Sequence, residues 1–278
     1  MSFTGGQERE RPLLVVDGDS FAHRAYHGLP KSVFRNAVVG FTNMMIRLWD
    51  AEHPRAVLVG WDSLETPTYR HLEFPAYQSG REFDASLLEQ LALLPEVCAA
   101  LGFVVGKAPG YEADDFLAAA VRAEEARGGT AVVASGDRDT YQLASESTTI
   151  LFPTKGVSEM SRIGPAEVRE RYGVEPEQVP DFIALRGDPS DKLPGAKGVG
   201  PKGAATLLSQ YPTLEAALED GRFASEAEAL RLYRRIATMD ATAPVPDVPD
   251  REPDWSGGAE LVRGWGLNQL ADRLKGHR

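Results

Sequence analysis

Three short, near-continuous apolar runs mark the first half of the chain: "PLLVVD" (12–17), "RAVLVGWD" (55–62) and "TAVVASGD" (130–137). They are rich in Val and Leu at successive positions, the pattern of strands covered on both faces in a parallel sheet. Between them, apolar positions recur at helical spacing over 35–51, 84–101 and 111–127, the last closing on the helix stop "RGG". Strands alternating with helices predict a doubly wound α/β core: a mostly parallel central sheet with helices on both faces. "FVVGKAPG" (103–110) is strand-like, and "TTILFP" (148–153) with "VSEM" (157–160) is expected to add a hairpin.

From about residue 165 the pattern changes. Gly and Pro divide short helical segments: "PAEVRERYG", "PDFIALRG", "PKGAATLLSQY", "PTLEAALEDG" and "EAEALRLYRRIATM". A Pro-rich loop (241–258) and one short closing helix follow. The predicted organisation is a frayed leader (1–10), an α/β core (11–180) and a helical region (181–278). No run approaches the roughly 20 apolar residues of a membrane span, and the polar leader has no signal-peptide core.

With 278 residues, 42% of them hydrophobic and 26% charged, the chain can bury a sizeable core. Its single cysteine, Cys98 in "LLPEVCAALGF", excludes an internal disulfide and reads as a buried, inert thiol. A cytoplasmic monomer is expected. The net charge of −11 argues against a nucleic-acid partner unless the acids are concentrated where cations bind.

They are concentrated. Each core strand runs to an aspartate: Asp17, Asp62 and Asp137. Side chains there face the crevice at the carboxyl ends of parallel strands. "YEADDFLAAA" sets Glu112, Asp114 and Asp115 at the head of a helix on the same edge. One or two acids suit a helix N-terminus, but three call for partners. Glu112 and Asp115, at i and i+3, share a face, and Asp114 points elsewhere. "SGDRDTYQL" adds Asp139, and "LRGDPSDKLPG" adds Asp188 and Asp191. Nine carboxylates this dense repel one another, and divalent cations remove the conflict. Hard oxygen donors suit Mg²⁺ or Mn²⁺; the His and Cys usage is wrong for zinc. His23 and His27, spaced i and i+4, are expected to pack or face solvent. Discounting the nine acids leaves −11 + 9 = −2, a near-neutral remainder that tolerates a polyanion. Paired hard cations on carboxylates imply phosphoryl chemistry, one ion activating water and the other stabilising the leaving oxygen. No Walker motif, GxSxG elbow or GxGxxG fingerprint is present.

"LPGAKGVGPKGAATLL" places Gly195, Gly198 and Gly200 between helical segments, with Lys197 and Lys202 alongside. Such a helix–hairpin–helix contacts duplex backbone without reading bases.

From Leu13 to at least Leu208 the chain resembles the 5′-nuclease family: flap endonucleases, phage 5′-exonucleases and the 5′–3′ exonuclease domain of bacterial DNA polymerase I. "VDGDSFAHRAYHGL", "YRHLEFPAYQSGR", "PGYEADDFLA", "SGDRDTYQL" and "LRGDPSDKLPGAKGVGPKGA" carry the resemblance, in the family's order. It implies that the nine acids form a metal site, that the hairpin grips DNA around a K⁺ ion, and that a helical arch lies near 70–95. It implies phosphate-binding roles for Arg24 and for Arg70 and Arg81 at the arch base. Tyr77 is expected either to stack on a base or to be a buried aromatic. One departure concerns catalysis: Gln78 stands where the family usually has a lysine. Losing one preorganised donor costs on the order of 10²–10³ in rate. Lys192 stands where Asn is common. The resemblance is to a stand-alone 5′-nuclease acting on DNA with a 5′ flap, overhang or nick, and on RNA primer strands. The alternatives are a branched-DNA-binding protein that cuts poorly because of Gln78, and a ribonuclease of the compact α/β nuclease folds, which lack the hairpin.

Overall fold

The computed structural model describes residues 11–277 apart from 64, 81 and 156–158. Arg81 and the 1–10 leader lie outside the described residues. Six strands form one sheet: β1 (Leu13–Asp17), β2 (Ala56–Gly60), β3 (Val104–Gly106), β4 (Ala131–Ala134), β5 (Thr148–Lys155) and β6 (Glu159–Ile163). Their order is β3-β2-β1-β4-β5-β6, all neighbours parallel except the β5–β6 hairpin. β6 runs past the expected "VSEM" to Ile163.

Among the described residues the α-helices are, in chain order, α1 (Gly18–Gly28), α2 (Asn36–Glu52), α3 (Tyr69–Glu73), α4 (Ala85–Ala100), α5 (Ala113–Ala126), α6 (Pro165–Tyr172), α7 (Val179–Arg186), α8 (Pro201–Gln210), α9 (Leu214–Glu219), α10 (Ala227–Ala237), α11 (Trp255–Gly264) and α12 (Asn268–Gly276). Successive strand side chains point to opposite faces. Leu14 and Val16 therefore enter one core with α1, α2, α4, α11 and α12. Leu13 and Val15 enter the other with α5, α7, α8 and α10. The helical region is thus not a separate body. α7 residues Val179, Phe182 and Ile183 share the core of Leu13 and Val15, and the chain crosses back so that Trp255 and Leu274 join the opposite core.

The apolar periodicity does not mark the segment after β1, which is a helix capped by Asp17 that buries Phe21, Ala22, Ala25 and Tyr26. The closing segment is two helices, and "WSGG" opens the first of them rather than ending a loop. The 70–95 stretch, where an arch or clamp is expected, holds α3, a linker and the start of α4. α3 ends at Glu73 and the described residues of 74–84 form turns and coil. α4 belongs to the core, with Leu87, Leu91, Leu94, Val97 and Cys98 buried.

Candidate active site

A cleft of about 1140 Å³ opens at the carboxyl edge of the sheet. Eight carboxylates line it: Asp17, Asp19, Asp62, Glu112, Asp114, Asp137, Asp139 and Asp188. Chain turns bring them together. Asp17 ends β1, accepting the Ser20 amide at 2.9 Å and the Ser135 hydroxyl at 2.6 Å. Ser135 Oγ in turn accepts the Asp137 amide at 3.0 Å, so β1 and β4 are tied at their ends. Asp62 accepts the Ala113 amide at 2.8 Å where α5 begins, and its own amide donates to Asp19 at 2.7 Å. Asp137 opens a short 3₁₀ turn by accepting the Asp139 amide at 2.9 Å. Asp188 accepts the Ser190 amide at 2.8 Å and pairs with Arg186 at 3.2 Å.

The crowding is electrostatically strained. Burial, followed by the charges of Asp62 and Asp137, pushes the Asp17 carboxyl up to about 7 despite its bonds to Ser135 and Ser20. Asp19, Asp114 and Asp139 are raised well above the carboxylate range, first by burial and then by neighbouring acids. No three His, Cys, Asp or Glu among the described residues converge closely enough to hold an ion as the side chains stand. The donor set nevertheless fits hard divalent cations: all oxygen, crowded and protonated more readily than normal.

Seven of the nine expected acids line the cleft; Asp115 and Asp191 do not. Asp115 is fully buried and turned inward. Its oxygens accept both Arg70 Nη atoms at 2.8 and 3.0 Å and the Asp240 amide at 2.8 Å. Glu112 is the N-cap of α5 and Asp115 its N3 residue, and both carboxylates reach the same guanidinium, Arg70. Glu112 accepts from the Thr68 hydroxyl at 2.7 Å and the Tyr77 hydroxyl at 2.9 Å, and pairs with Arg70 at 3.2 Å. Asp191 is half-buried, accepts from Gln78 Nε2 at 3.0 Å, and its charge helps raise Asp139.

The expected phosphate-binding and stacking residues divide. Arg70 is 3% exposed and consumed by Asp115, Glu112 and the Ile236 carbonyl, so no side of it faces a phosphate. Tyr77 is buried at 4% exposure and cannot stack on a base from there. Gln78 lines the cleft and bridges Tyr77 Oη (2.8 Å) to Asp191. The Arg24 guanidinium lies against Gly136, where a Cβ would stand 2.9 Å from its Nη2. Motif reasoning missed Asp19, Phe83, Arg138, Arg171 and Arg186, all of which line the cleft. Asp19 was visible as the second acid of "VDGDS", Arg138 as the residue between Asp137 and Asp139, and Arg186 as the residue two before Asp188; Arg171 and Phe83 carry no such signal.

The hairpin joins α7 to α8 as expected. Lys197, Gly198, Gly200 and Lys202 are exposed, and Lys202 also lines the cleft. The Lys197 amide is already taken by a Glu226 carboxylate oxygen at 2.9 Å. Gly195 is not a surface contact. At φ 75° it packs so tightly on Gly187 that a Cβ would meet that amide nitrogen at 2.4 Å.

Residues 12–173 match the family model "5′-3′ exonuclease, N-terminal resolvase-like domain", and 174–253 match "5′-3′ exonuclease, C-terminal SAM fold". The chain belongs to the 5′–3′ exonuclease family. DNA polymerase I of Mycobacterium tuberculosis (strain ATCC 25618 / H37Rv) is 40% identical over 256 residues, covering 87% of this chain. The chain spans only 28% of that relative's length. In fold the chain is similar to T5 5′-exonuclease with divalent metal ions (zinc) bound, at TM-score 0.70 and 17% identity over 96% of this chain and 99% of that one. It is also similar to the catalytic core of Rad2 in complex with DNA substrate, at TM-score 0.61 and 12% identity over 96% and 92%.

Proposed function

We propose that this exonuclease is a divalent-metal-dependent, structure-specific 5′-nuclease. It hydrolyses DNA phosphodiesters as a 5′–3′ exonuclease and a 5′-flap endonuclease during replication and repair, including removal of RNA primer strands. The observation that carries the reading is the set of eight carboxylates lining one cleft, with Asp17 pushed up to about 7. The T5 relative in fold holds divalent ions and the Rad2 core holds DNA substrate, which supports both halves of the reading.

Asp17, Asp62, Glu112, Asp114, Asp137, Asp139 and Asp188 would hold the ions, Mg²⁺ or Mn²⁺, with Asp191 acting through its charge on Asp139. When bound, two such ions supply an activated water and charge stabilisation at the leaving oxygen. The chain's own residues do the rest. Thr68, Tyr77 and Arg70 fix the orientation of Glu112. Arg138, Arg171, Arg186 and Lys202 are the cations lining the cleft, where guanidinium forks suit phosphate oxygens. The exposed Gly198 and Gly200 let duplex backbone approach the hairpin, where a K⁺ ion would sit. We assign a monomer working in the cytoplasm.

Gln78 favours a second reading, a branched-DNA binder that cuts poorly: its amide tethers Tyr77 and Asp191 and brings no charge to the cleft. One experiment addresses both: cleavage of a 5′-labelled flap duplex in Mg²⁺, Mn²⁺ or EDTA, beside Asp114→Ala and Gln78→Lys. Metal-dependent cutting near the junction should fall at least about 10²-fold in Asp114→Ala. Gln78→Lys should raise the single-turnover rate. Tight binding without cutting in either metal would favour the binder.

A further inference from the structure

The amides of the hairpin between α7 and α8 do not all face the same fate. Ala196 closes on the Leu185 carbonyl at 2.8 Å and Val199 on the Ala196 carbonyl at 3.0 Å. The Lys197 amide is taken by a side chain instead. It donates at 2.9 Å to a carboxylate oxygen of Glu226, 29 residues further on. Lys197, Gly198 and Gly200 are exposed, and a Cβ at Gly198 or Gly200 would meet nothing within 4 Å. The contact therefore stands on the exposed stretch of the turn, away from the packed base that Gly187 and Gly195 form.

Glu226 reaches the hairpin and leaves its own helix uncapped. It is the N-cap residue of α10, where an acid ordinarily accepts from an amide of the first turn, yet its side chain makes no such bond. The arginines of α10 do not neutralise it either. Arg231 pairs with Glu215, Arg234 with Asp181 and Arg235 with Glu73. The turn that carries Glu226 is anchored and strained. Phe223 packs against the core at φ 52°, a region a bulky residue rarely occupies, and its carbonyl accepts the Glu226 amide at 2.8 Å. A half-buried carboxylate is thus held on the one hairpin segment that duplex backbone can approach.

A carboxylate oxygen on a backbone amide has the charge sign and acceptor chemistry of a phosphate oxygen. We propose that Glu226 is a built-in phosphate mimic: it occupies the Lys197 amide until the DNA backbone displaces it, and so weakens the hold on duplex. This rests on the nuclease reading above. Duplex arriving at Lys197 meets a filled donor and a like charge. A loose hold suits an enzyme whose product is still duplex, because product that stays bound blocks the next turnover.

The test is fluorescence-anisotropy binding in Ca²⁺ with wild type, Glu226→Ala and Glu226→Gln, on a labelled duplex with a 5′ overhang and on the overhang strand alone. Freeing one charge-assisted amide should tighten duplex binding on the order of tenfold in Glu226→Ala. Glu226→Gln, which keeps an acceptor but no charge, should fall between that variant and wild type. Binding of the single strand, which brings no duplex to the hairpin, should not change. A strut that merely ties α10 to the hairpin predicts the opposite sign, weaker duplex binding, and that result overturns the mimic. Equal tightening on duplex and single strand overturns it too, since the effect is then one of overall charge. Where Glu226→Ala melts below wild type, Glu226→Gln carries the test. Variants that match wild type on duplex overturn the mimic alone. Wild type that binds neither DNA overturns the nuclease reading and the mimic together.

Discussion

Arg70 reaches both oxygens of Asp115 and one of Glu112 at 3% exposure, with its other donors on the Ile236 and Thr238 carbonyls. Such a pair adds little stability over apolar packing, but breaking one side leaves an uncompensated buried charge. Arg70→Ala should therefore lose about 3–5 kcal/mol in urea denaturation. A loss under about 1 kcal/mol would mean that Asp115 is satisfied without it. Since Arg70 also orients Glu112, cleavage should fall even under conditions where the variant is folded. The two departures from the family's usual residues, Gln78 and Lys192, both sit at positive φ, 49° and 62°. Asn tolerates that region better than Lys does, which gives a backbone reason for the family's preference at position 192.

At the scale of elements, the hairpin is built by backbone meeting backbone. Gly187 and Gly195, at φ 77° and 75°, lie close enough that a Cβ on either would strike main-chain atoms of the other strand of the turn. The Ala196 amide then closes onto the Leu185 carbonyl at 2.8 Å. Gly195→Ala should weaken duplex binding and lower the melting temperature, because backbone cannot yield as a side-chain tip can. Gly198→Ala carries left-handed strain of about 1–3 kcal/mol but has open space, so its effect on melting should be smaller. Equal effects on melting would show that strain, not the close approach, governs the turn.

For the whole molecule, the acid cluster sets a pH and metal dependence. Asp17 titrates near 3.8 when unfolded and near 7 when folded. The folded state binds the proton more tightly, so this contribution to stability is fully present below about 3.8 and is lost as pH rises through about 7. Asp19, Asp114 and Asp139 shift in the same direction. The metal-free protein should melt at a higher temperature at pH 5 than at pH 8. Millimolar Mg²⁺ should raise the melting temperature more at pH 8, where the carboxylates are charged and the native state gains by binding it. Differential scanning fluorimetry at the two pH values, with Mg²⁺ and with EDTA, would show this. A metal-free melting temperature that rises with pH would sink the account.

The parallel core, its three principal strands and most of the helices were legible in the sequence because one-dimensional apolar runs and helical spacing carry that information. Seven of the nine acids found the cleft for the same reason: strand ends and helix heads at one sheet edge have nowhere else to face. α1 was not legible, since "GDSFAHRAYHG" mixes polar and apolar positions until Asp17 caps it and the sheet covers one face. Asp115, Arg70 and Tyr77 read as functional in sequence, yet tertiary packing made them a buried scaffold behind Glu112. The hold of Glu226 on the hairpin was invisible for a plainer reason. Lys197 and Glu226 stand 29 residues apart, and only the packing of α10 against α7 brings them together. Sequence order determined which chemistry the sheet edge would hold; long-range packing decided which charges reach solvent and which cancel in the interior.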